Sequence, residues 1–352
     1  MKSYFYAFVF SLLIISSTQT AFSQGCVAVK NMASCSLSAD TTSVSGWQFN
    51  INYRYFRSFR HFKGKEEQKE RLEKNTEVIN NDNSFIIGGS YRLNKQWSFS
   101  AGLPISFIDR SSLYEHDRIN RHHSQSSGIG DLRLTAYRNL MLGHGTTMSL
   151  GLGTKLPTGN YNIKDVFYTT DGPQERPVDQ SIQLGDGGVG LITEVNFFKG
   201  FGKSAIYLNT MYMFNPRNTN GTRTYRETLS PLLANEAISS VVDQYFARLG
   251  AQYSVTNNFS IGVGGRLEGI PVKDLIGKSD GFRRPGYIIS AEPSLSYAFG
   301  VHAFNVNVPL AVVRNRTQSL TDKEVERQTG QPKHGDAAFA DWLLSISYSY
   351  KL

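Results

Sequence analysis

The sequence predicts an all-β fold: a transmembrane antiparallel β-barrel of about twelve strands, with long extracellular loops and short periplasmic turns. Three observations lead to it. Apolar and polar residues alternate in segment after segment, and long and short polar segments separate these segments in turn. Beyond the N-terminus, no run reaches the roughly 20 apolar residues that a membrane helix needs. A chain without such a helix crosses a membrane only as a closed barrel.

The C-terminal stretch 341–352 shows the alternation most clearly. On one side of an extended strand lie Trp342, Leu344, Ile346, Tyr348, Tyr350 and Leu352, and on the other lie Leu343, Ser345, Ser347, Ser349 and Lys351. The apolar face would point into a core in a soluble sheet and would meet lipid in a membrane barrel. One strand fits both, and the repetition of the pattern favours the barrel. Such chains usually end in phenylalanine, so Leu352 departs slightly from the signal by which barrel-insertion machinery would bind this strand.

The N-terminus predicts export. In residues 1–23 the basic Lys2 is followed by an apolar run and then by small residues, which is the order of a secretory signal peptide. We expect cleavage after Ser23. Cleavage before Cys26, as in a lipoprotein, is the alternative, but the aliphatic residue usual three positions before a lipidated cysteine is missing.

The segment 24–45 is predicted to be periplasmic and to carry a disulfide. It contains both cysteines of the chain, Cys26 and Cys35, and in an oxidising compartment their pairing is the default. Met32 lies between them, which leaves a soft-metal site as the alternative. We predict the disulfide, and neither a metal nor another cofactor.

The charge pattern favours a membrane surface over nucleic acid. The formal net charge is +8, but the basic residues are dispersed among acidic ones in a chain that is exported. A basic exterior suits the anionic outer leaflet or anionic solutes. We therefore predict the outer membrane of a Gram-negative cell as the location. The predicted partners are outer-membrane lipid, lipopolysaccharide and a small-molecule solute, with no nucleic acid.

Residues 46–352 divide into twelve segments with strand-like alternation. They are 46–57, 84–93, 97–108, 128–138, 146–157, 184–198, 204–215, 240–253, 259–271, 286–298, 303–314 and 339–352. The charged stretch 63–83 places Glu67 and Arg71 at helical spacing, which predicts a short solvated helix in the first loop. An even number of strands puts both termini in the periplasm and leaves no unpaired edge.

Prolines stand at or near the outer ends of several strands. They are Pro104, Pro157, Pro216, Pro271 and Pro309. One interpretation is that they end the strands, because proline cannot donate to the ladder. The other is a kinked wall that opens sideways and lets an apolar solute leave into the lipid. Pro309 is the best candidate for such an opening, since the apolar alternation continues past it.

Two motifs carry a family resemblance. The first reads GIGDLRLTAYR at 128–138, and the second reads GTKLPTGNY at 153–161. Together they resemble the outer-membrane family named for the meta-pathway of phenol degradation, which combines a GxGD-type strand with a K-x-P-T-G strand end. The resemblance implies a barrel channel that admits small, often aromatic, compounds. The cysteine segment and the charged first loop are not part of it.

Following the alternation inward gives ten charged residues that we predict to line the lumen. They are Arg54, Arg92, Asp131, Arg133, Lys155, Glu194, Arg248, Arg266, Glu268 and Glu292. Small barrels often fill their interior with paired charges, so these residues fit both an open channel and a filled lumen.

The predicted function is passive uptake of small solutes, and the family resemblance implies that these are often aromatic or apolar. A structural or adhesive barrel with a filled lumen is the alternative. An outer-membrane lipid hydrolase, which would need a serine–histidine pair on the lipid face, is a further one. We expect all the histidines to lie in loops or turns: His61, His116, His122, His123, His144, His302 and His334. No catalytic residue is therefore predicted, and the chain is not expected to be an enzyme.

Overall fold

The computed structural model describes residues 45–224 and 229–352, which form a closed antiparallel barrel of twelve strands. The strands are β1 (Gly46–Lys63), β2 (Ile79–Arg92), β3 (Trp97–Ser112), β4 (His122–Ile129 and Leu132–Gly143), β5 (Thr146–Leu156), β6 (Gly190–Phe201), β7 (Ser204–Phe214), β8 (Gln244–Ser254), β9 (Phe259–Ile270), β10 (Gly286–Phe299), β11 (His302–Asn307 and Leu310–Arg316) and β12 (Ala337–Lys351). Neighbours in sequence pair with each other, and β12 pairs back with β1 along its whole length. This closure removes the two edges that an open sheet would leave.

The outer surface of the barrel is apolar and its interior is polar. On the outer face, Val312 and Leu249 are 67% and 61% exposed. Inside, Asn52 and Ser347 are almost fully buried, and Asn52 Nδ2 donates to Ser347 Oγ at 2.7 Å. A soluble sheet protein has the opposite distribution. An apolar surface around a polar interior is that of a transmembrane β-barrel, so the predicted fold class is confirmed.

Several strands extend further outward than the alternation predicts. β2 begins at Ile79 instead of residue 84, and the outer segment of β4 (His122–Ile129) precedes the predicted start at residue 128. Both extensions fall in polar stretches that were expected to be loop. Above the membrane neither face of a strand meets lipid, so a strand there has no apolar face to reveal it in the sequence.

The long loops contain secondary structure of their own. α1 (Lys69–Glu73) lies where a short helix was predicted, whereas α2 (Leu320–Thr329) was not predicted. A capping box between Ser319 and Asp322 begins α2, and Gly330 ends it with a φ of 68°, a left-handed conformation that favours glycine. The remaining elements are strands Glu66–Glu67, Lys164–Thr169, Gly172–Pro177, Thr219–Arg223 and Ile238–Ser240 and 3-10 helices Gln180–Ile182 and Pro231–Ala237. Within the two described ranges, no helix combines the length and the apolar character needed to cross a membrane.

Residues 1–44 and 225–228 lie outside the described residues. The predicted signal peptide at 1–23 and the predicted Cys26–Cys35 disulfide in the segment 24–45 fall in this part of the chain. Both therefore stay predictions.

A closed barrel predicts heat-dependent migration of the mature protein on a gel. In mild detergent the unboiled protein should migrate faster than the boiled protein, since the closed ladder holds it compact until heating breaks the ladder. Electrophoresis with and without boiling measures this. A soluble β-rich protein would not need detergent, and equal migration of the two samples would contradict a closed barrel.

Candidate functional site

The centre of the lumen is filled by paired charges. Arg248 Nη1 lies 2.9 Å from Glu292 Oε1, and Arg266 Nη1 lies 3.4 Å from the other oxygen of the same carboxylate. Arg266 Nη2 also lies 2.8 Å from Glu268 Oε2. Arg248 and Glu292 are 1% and 0% exposed, so this pair has almost no contact with water. At this depth the interior resembles a protein core more than a pore.

A second group of charges lies on another part of the wall, formed by β4, β5 and β6. Tyr137 Oη donates to Glu194 Oε2 at 2.9 Å, which satisfies a carboxylate that faces inward from β6. Lys155 pairs with Asp186, and its Nζ lies 3.8 Å from Asp131 Oδ2. Asp186 comes from a loop that folds back into the barrel. The pairing therefore ties that loop to the wall at the break in β4.

The structure brings most of the predicted lumen residues into these two groups. Arg133 lies close to the second group, within electrostatic reach of its carboxylates. Arg92 lies near the periplasmic end of β2, where it is paired with Gly46, and joins neither group. Arg54 is buried near the centre, and among the described residues its Nη2 has no hydrogen-bond partner. That any of the ten lines a transport path stays a prediction.

A cavity of about 1100 Å³, open solvent included, lies between the central charges and the long loops. We call it the outer cavity. Its apolar lining consists of Phe56, Pro104, Ile108, Leu184, Met213, Val242 and Ile270, and its polar lining includes Asp82, Asp131, Arg133, Lys155, Asp186, Gln244 and Arg284. A cavity with both kinds of wall suits a small solute that has an apolar body and few polar groups.

The loops close over the outer cavity through buried ion pairs. Arg284 Nη1 and Nη2 donate to the two Asp179 oxygens at 2.8 and 2.6 Å, and Arg110 Nη2 lies 3.5 Å from Oδ2. Burial alone would raise the pKa of the Asp179 carboxyl, but the two guanidiniums outweigh it and hold that pKa far below its usual range. Gln180 Nε2 donates to the Ser240 carbonyl at 2.7 Å and joins two loops. We call the set formed by Asp179, Gln180, Ser240 and Arg284 of the loops and Arg110 at the outer end of β3 the cap.

The wall of the barrel is interrupted between β11 and β12. The inner segment of β11 (His302–Asn307) pairs residue by residue with β12. Beyond Pro309, Leu310 with Trp342 is the one backbone pair between the two strands among the described residues. Arg314 of the outer segment of β11 also reaches β12 through its side chain: its Nε donates to the Ala340 carbonyl at 3.1 Å, and its guanidinium pairs with Asp341. The outer segment of β11 then follows β10, while β12 follows β1. Pro309 thus marks the point where two adjacent strands diverge.

A pocket of about 410 Å³, open solvent included, fills this gap, and we call it the wall pocket. From the lumen side it is lined by Phe56, Ser58, Glu268, Ile288 and Ser290, and within the wall by Pro309, Ala311, Ala338, Phe339, Ala340, Trp342 and Leu343. Trp342 is 44% exposed on the lipid-facing surface, whereas Ser58 is buried inside. Residues of both faces therefore meet in one pocket.

The other prolines mostly end strands. Pro157, Pro216 and Pro271 follow the last residues of β5, β7 and β9 within two positions. Pro104 lies inside β3, and its carbonyl accepts from Gly130 N at 2.7 Å where β4 is broken. The alternation past Pro309 was the sequence signal for the wall break. The inward-folded loops gave no such signal.

The histidines are not confined to loops. His61 lies in β1, and His122 and His123 begin the outer segment of β4. His302 begins β11, where its Nδ1 lies 2.8 Å from Tyr348 Oη. The prediction that all seven lie in loops or turns is wrong for these four, because the strands are longer than expected. In the part of the chain that the structure describes, no group of three His, Cys, Asp or Glu side chains could hold a metal ion.

Comparison with known proteins gives weak matches only. No protein-family model and no curated protein sequence matches the chain. The toluene transporter TodX of Pseudomonas putida matches with 10% identity and a TM-score of 0.44 over 94% of this chain and 96% of that one. The translocator domain of the autotransporter NalP from Neisseria meningitidis matches with 11% identity and a TM-score of 0.45 over 88% and 90%. A Pseudomonas aeruginosa FadL homologue matches with 9% identity and a TM-score of 0.42 over 88% and 90%. Similarity at this level carries no argument, so the fold rests on the strand pairing itself, and the resemblance to the phenol-degradation family stays a prediction.

Proposed function

We propose that the chain is a passive channel of the outer membrane for small solutes of apolar or aromatic character. The apolar outer surface around a polar interior supports a membrane location for the barrel. The outer cavity supports a binding space for a solute within the barrel. In this proposal, outer-membrane lipid and lipopolysaccharide surround the channel, and the insertion machinery recognises its strand β12. The signal peptide at 1–23 directs export of the chain in the same proposal.

The route that fits the interior best leads sideways. Straight passage to the periplasm meets the fully buried Arg248–Glu292 pair. A solute in the outer cavity would instead leave through the wall pocket into the lipid. The observation that carries this route is the wall pocket itself, which is lined by inward residues such as Ser58 and by the lipid-facing Trp342.

The composition of the wall pocket favours apolar solutes. Three alanines, Ala311, Ala338 and Ala340, leave space between β11 and β12, and the rest of the wall lining is apolar or aromatic. Against the apolar wall lining a sugar would lose hydrogen bonds to water, which the lumen-side Ser58, Glu268 and Ser290 would replace only in part. Each polar group left unpaired costs about 2–7 kcal/mol. An aromatic hydrocarbon gains from the same transfer. The channel should therefore discriminate by polarity.

Uptake by cells that produce the protein tests this function. Neutral aromatic hydrocarbons should enter faster than in cells without the protein, whereas liposomes carrying it should swell little with sugars or amino acids. Ala311→Trp fills the wall pocket and should lower hydrocarbon uptake by about tenfold, or about 1.4 kcal/mol of barrier. Ala251→Trp, which adds the same ring to the lipid-facing surface of β8, is the matched control.

A structural or adhesive barrel with a filled lumen is the second candidate, and the buried central pair favours it. The two candidates differ in one result. Protein that migrates as a folded barrel but raises the uptake of no solute tested would overturn the channel and leave the structural barrel.

A further inference from the structure

Phe56 is an aromatic residue that follows a polar inward row of β1. The inward residues that precede it are Gln48, Asn50, Asn52 and Arg54. Just after Phe56, the register between β1 and β12 shifts, so Arg57 is not matched with a residue of β12. Such an irregularity bends a strand and redirects its side chains. Phe56 is 8% exposed and therefore lies inside the barrel, not in the lipid.

Phe56 lies at the boundary between the outer cavity and the wall pocket. Among the residues that the structure describes, Phe56 alone belongs to both linings. On one side it is paired with Asp82 of β2, which lines the outer cavity. On the other side it is paired with Leu343 of β12, which lines the wall pocket. A solute that moves from one space to the other must pass this side chain.

We propose that Phe56 is the partition between the two spaces and sets the largest solute that leaves through the wall. This inference rests on the proposed sideways route and adds a specificity-determining residue to it. A phenyl ring has few rotamers, so the gap beside it has a defined width and does not widen gradually. Its apolar surface also forms no hydrogen bond with a passing solute, which reinforces the selection against polar molecules.

Uptake of neutral aromatics of increasing size tests the partition. The probes are benzene, naphthalene and phenanthrene, given to cells that produce the full chain. Phe56→Ala should raise phenanthrene uptake by about tenfold, equivalent to about 1.4 kcal/mol of barrier, and benzene uptake by less than about twofold. Phe56→Trp should lower naphthalene uptake and leave benzene uptake nearly unchanged.

Two control variants separate the test of the Phe56 partition from the test of the sideways route on which it rests. Ile86→Ala removes a large inward residue of β2 that lines neither space, so its size profile should match that of the wild type. Phe56→Ala combined with Ala311→Trp should lose the gain, because the wider partition then leads into a filled pocket. Heat-dependent migration shows that each variant is folded.

The results of these uptake experiments distinguish failure of the Phe56 partition from failure of the sideways route. A folded Phe56→Ala variant with the wild-type size profile, while Ala311→Trp still blocks uptake, would overturn the partition and leave the sideways route standing. A gain that persists in the double variant would also overturn the partition. If Ala311→Trp leaves wild-type uptake unchanged, the sideways route is wrong, and the partition fails with it.

Discussion

Replacing Arg248 with alanine is expected to destabilise the folded barrel by about 3–5 kcal/mol, because the Glu292 carboxylate is then buried without its closest cation. Arg248 Nη1 lies 2.9 Å from Glu292 Oε1, and Nη2 donates to Asn209 Oδ1 at the same distance. Arg266 still reaches the carboxylate at 3.4 Å, which places the expected loss toward the lower end of that range. Urea unfolding of the refolded protein in detergent micelles measures it.

The paired replacement Arg248→Met with Glu292→Leu shows whether the loss comes from the unpaired charge. Removing both charges leaves no bare carboxylate, so most of the stability should return, as it does when apolar residues replace buried ion pairs elsewhere. Arg327→Ala is the matched control, since Arg327 pairs with Glu324 on the exposed surface of α2 and should give no measurable change. A loss for Arg248→Ala no larger than that control would show that the central pair does not hold the barrel together.

The barrel itself was largely predictable from the sequence, because its two determinants are local. Side chains alternate with period two in any strand, and lipid requires one of the two faces to be apolar. The strand predicted at 259–271 is observed as Phe259–Ile270, and the one predicted at 146–157 as Thr146–Leu156. The same alternation gave the inward direction of Arg248 and Glu292. Their pairing was not predictable, since it joins β8 to β10 across an intervening strand.

The outer cavity and the wall pocket depend on sequence features that do not follow the period-two alternation of a strand. The loop that carries Asp179 and the 3-10 helix after it is polar and irregular in sequence, so nothing in it indicated that it folds inward. Pro309 indicated a break in the wall but not which neighbour β11 would leave, because that depends on the register of β12 against β1. Phe56 fitted the period as an inward residue, but its position between two cavities exists only once β2 and β12 lie beside it.

The second large effect is expected in the cap, at Asp179. Its carboxylate is the shared partner of Arg284 and Arg110, and the Ser181 amide and hydroxyl also donate to Oδ1 at 3.0 and 2.7 Å. Asp179→Ala should therefore open the cap while the barrel stays closed, at a cost of about 3–5 kcal/mol to the local structure. Arg110 keeps Glu115 as a partner, so its own segment should be affected less.

Limited proteolysis of the protein in liposomes measures the opening. Segment 178–186 should be cut rapidly in Asp179→Ala and slowly in the wild type, whereas heat-dependent migration of the barrel should be the same in both. Asp171→Ala changes an exposed aspartate in the hairpin just before the cap and serves as the control. Equal protection of segment 178–186 in Asp179→Ala and Asp171→Ala would contradict a cap held by this carboxylate.

The pH dependence of the same protection follows from the lowered pKa of Asp179. A carboxyl whose pKa is lower in the closed cap than in the open one stabilises the cap fully at any pH above its ordinary value of about 3.9. That contribution is lost only as the pH falls below this value toward the lower pKa of the closed state. The difference in protection between the wild type and Asp179→Asn should therefore stay constant from about pH 8 to pH 5 and shrink below about pH 4. Proteolysis or hydrogen exchange across this range measures it, and a difference that already shrinks near pH 6 would show that another group, not Asp179, controls the cap.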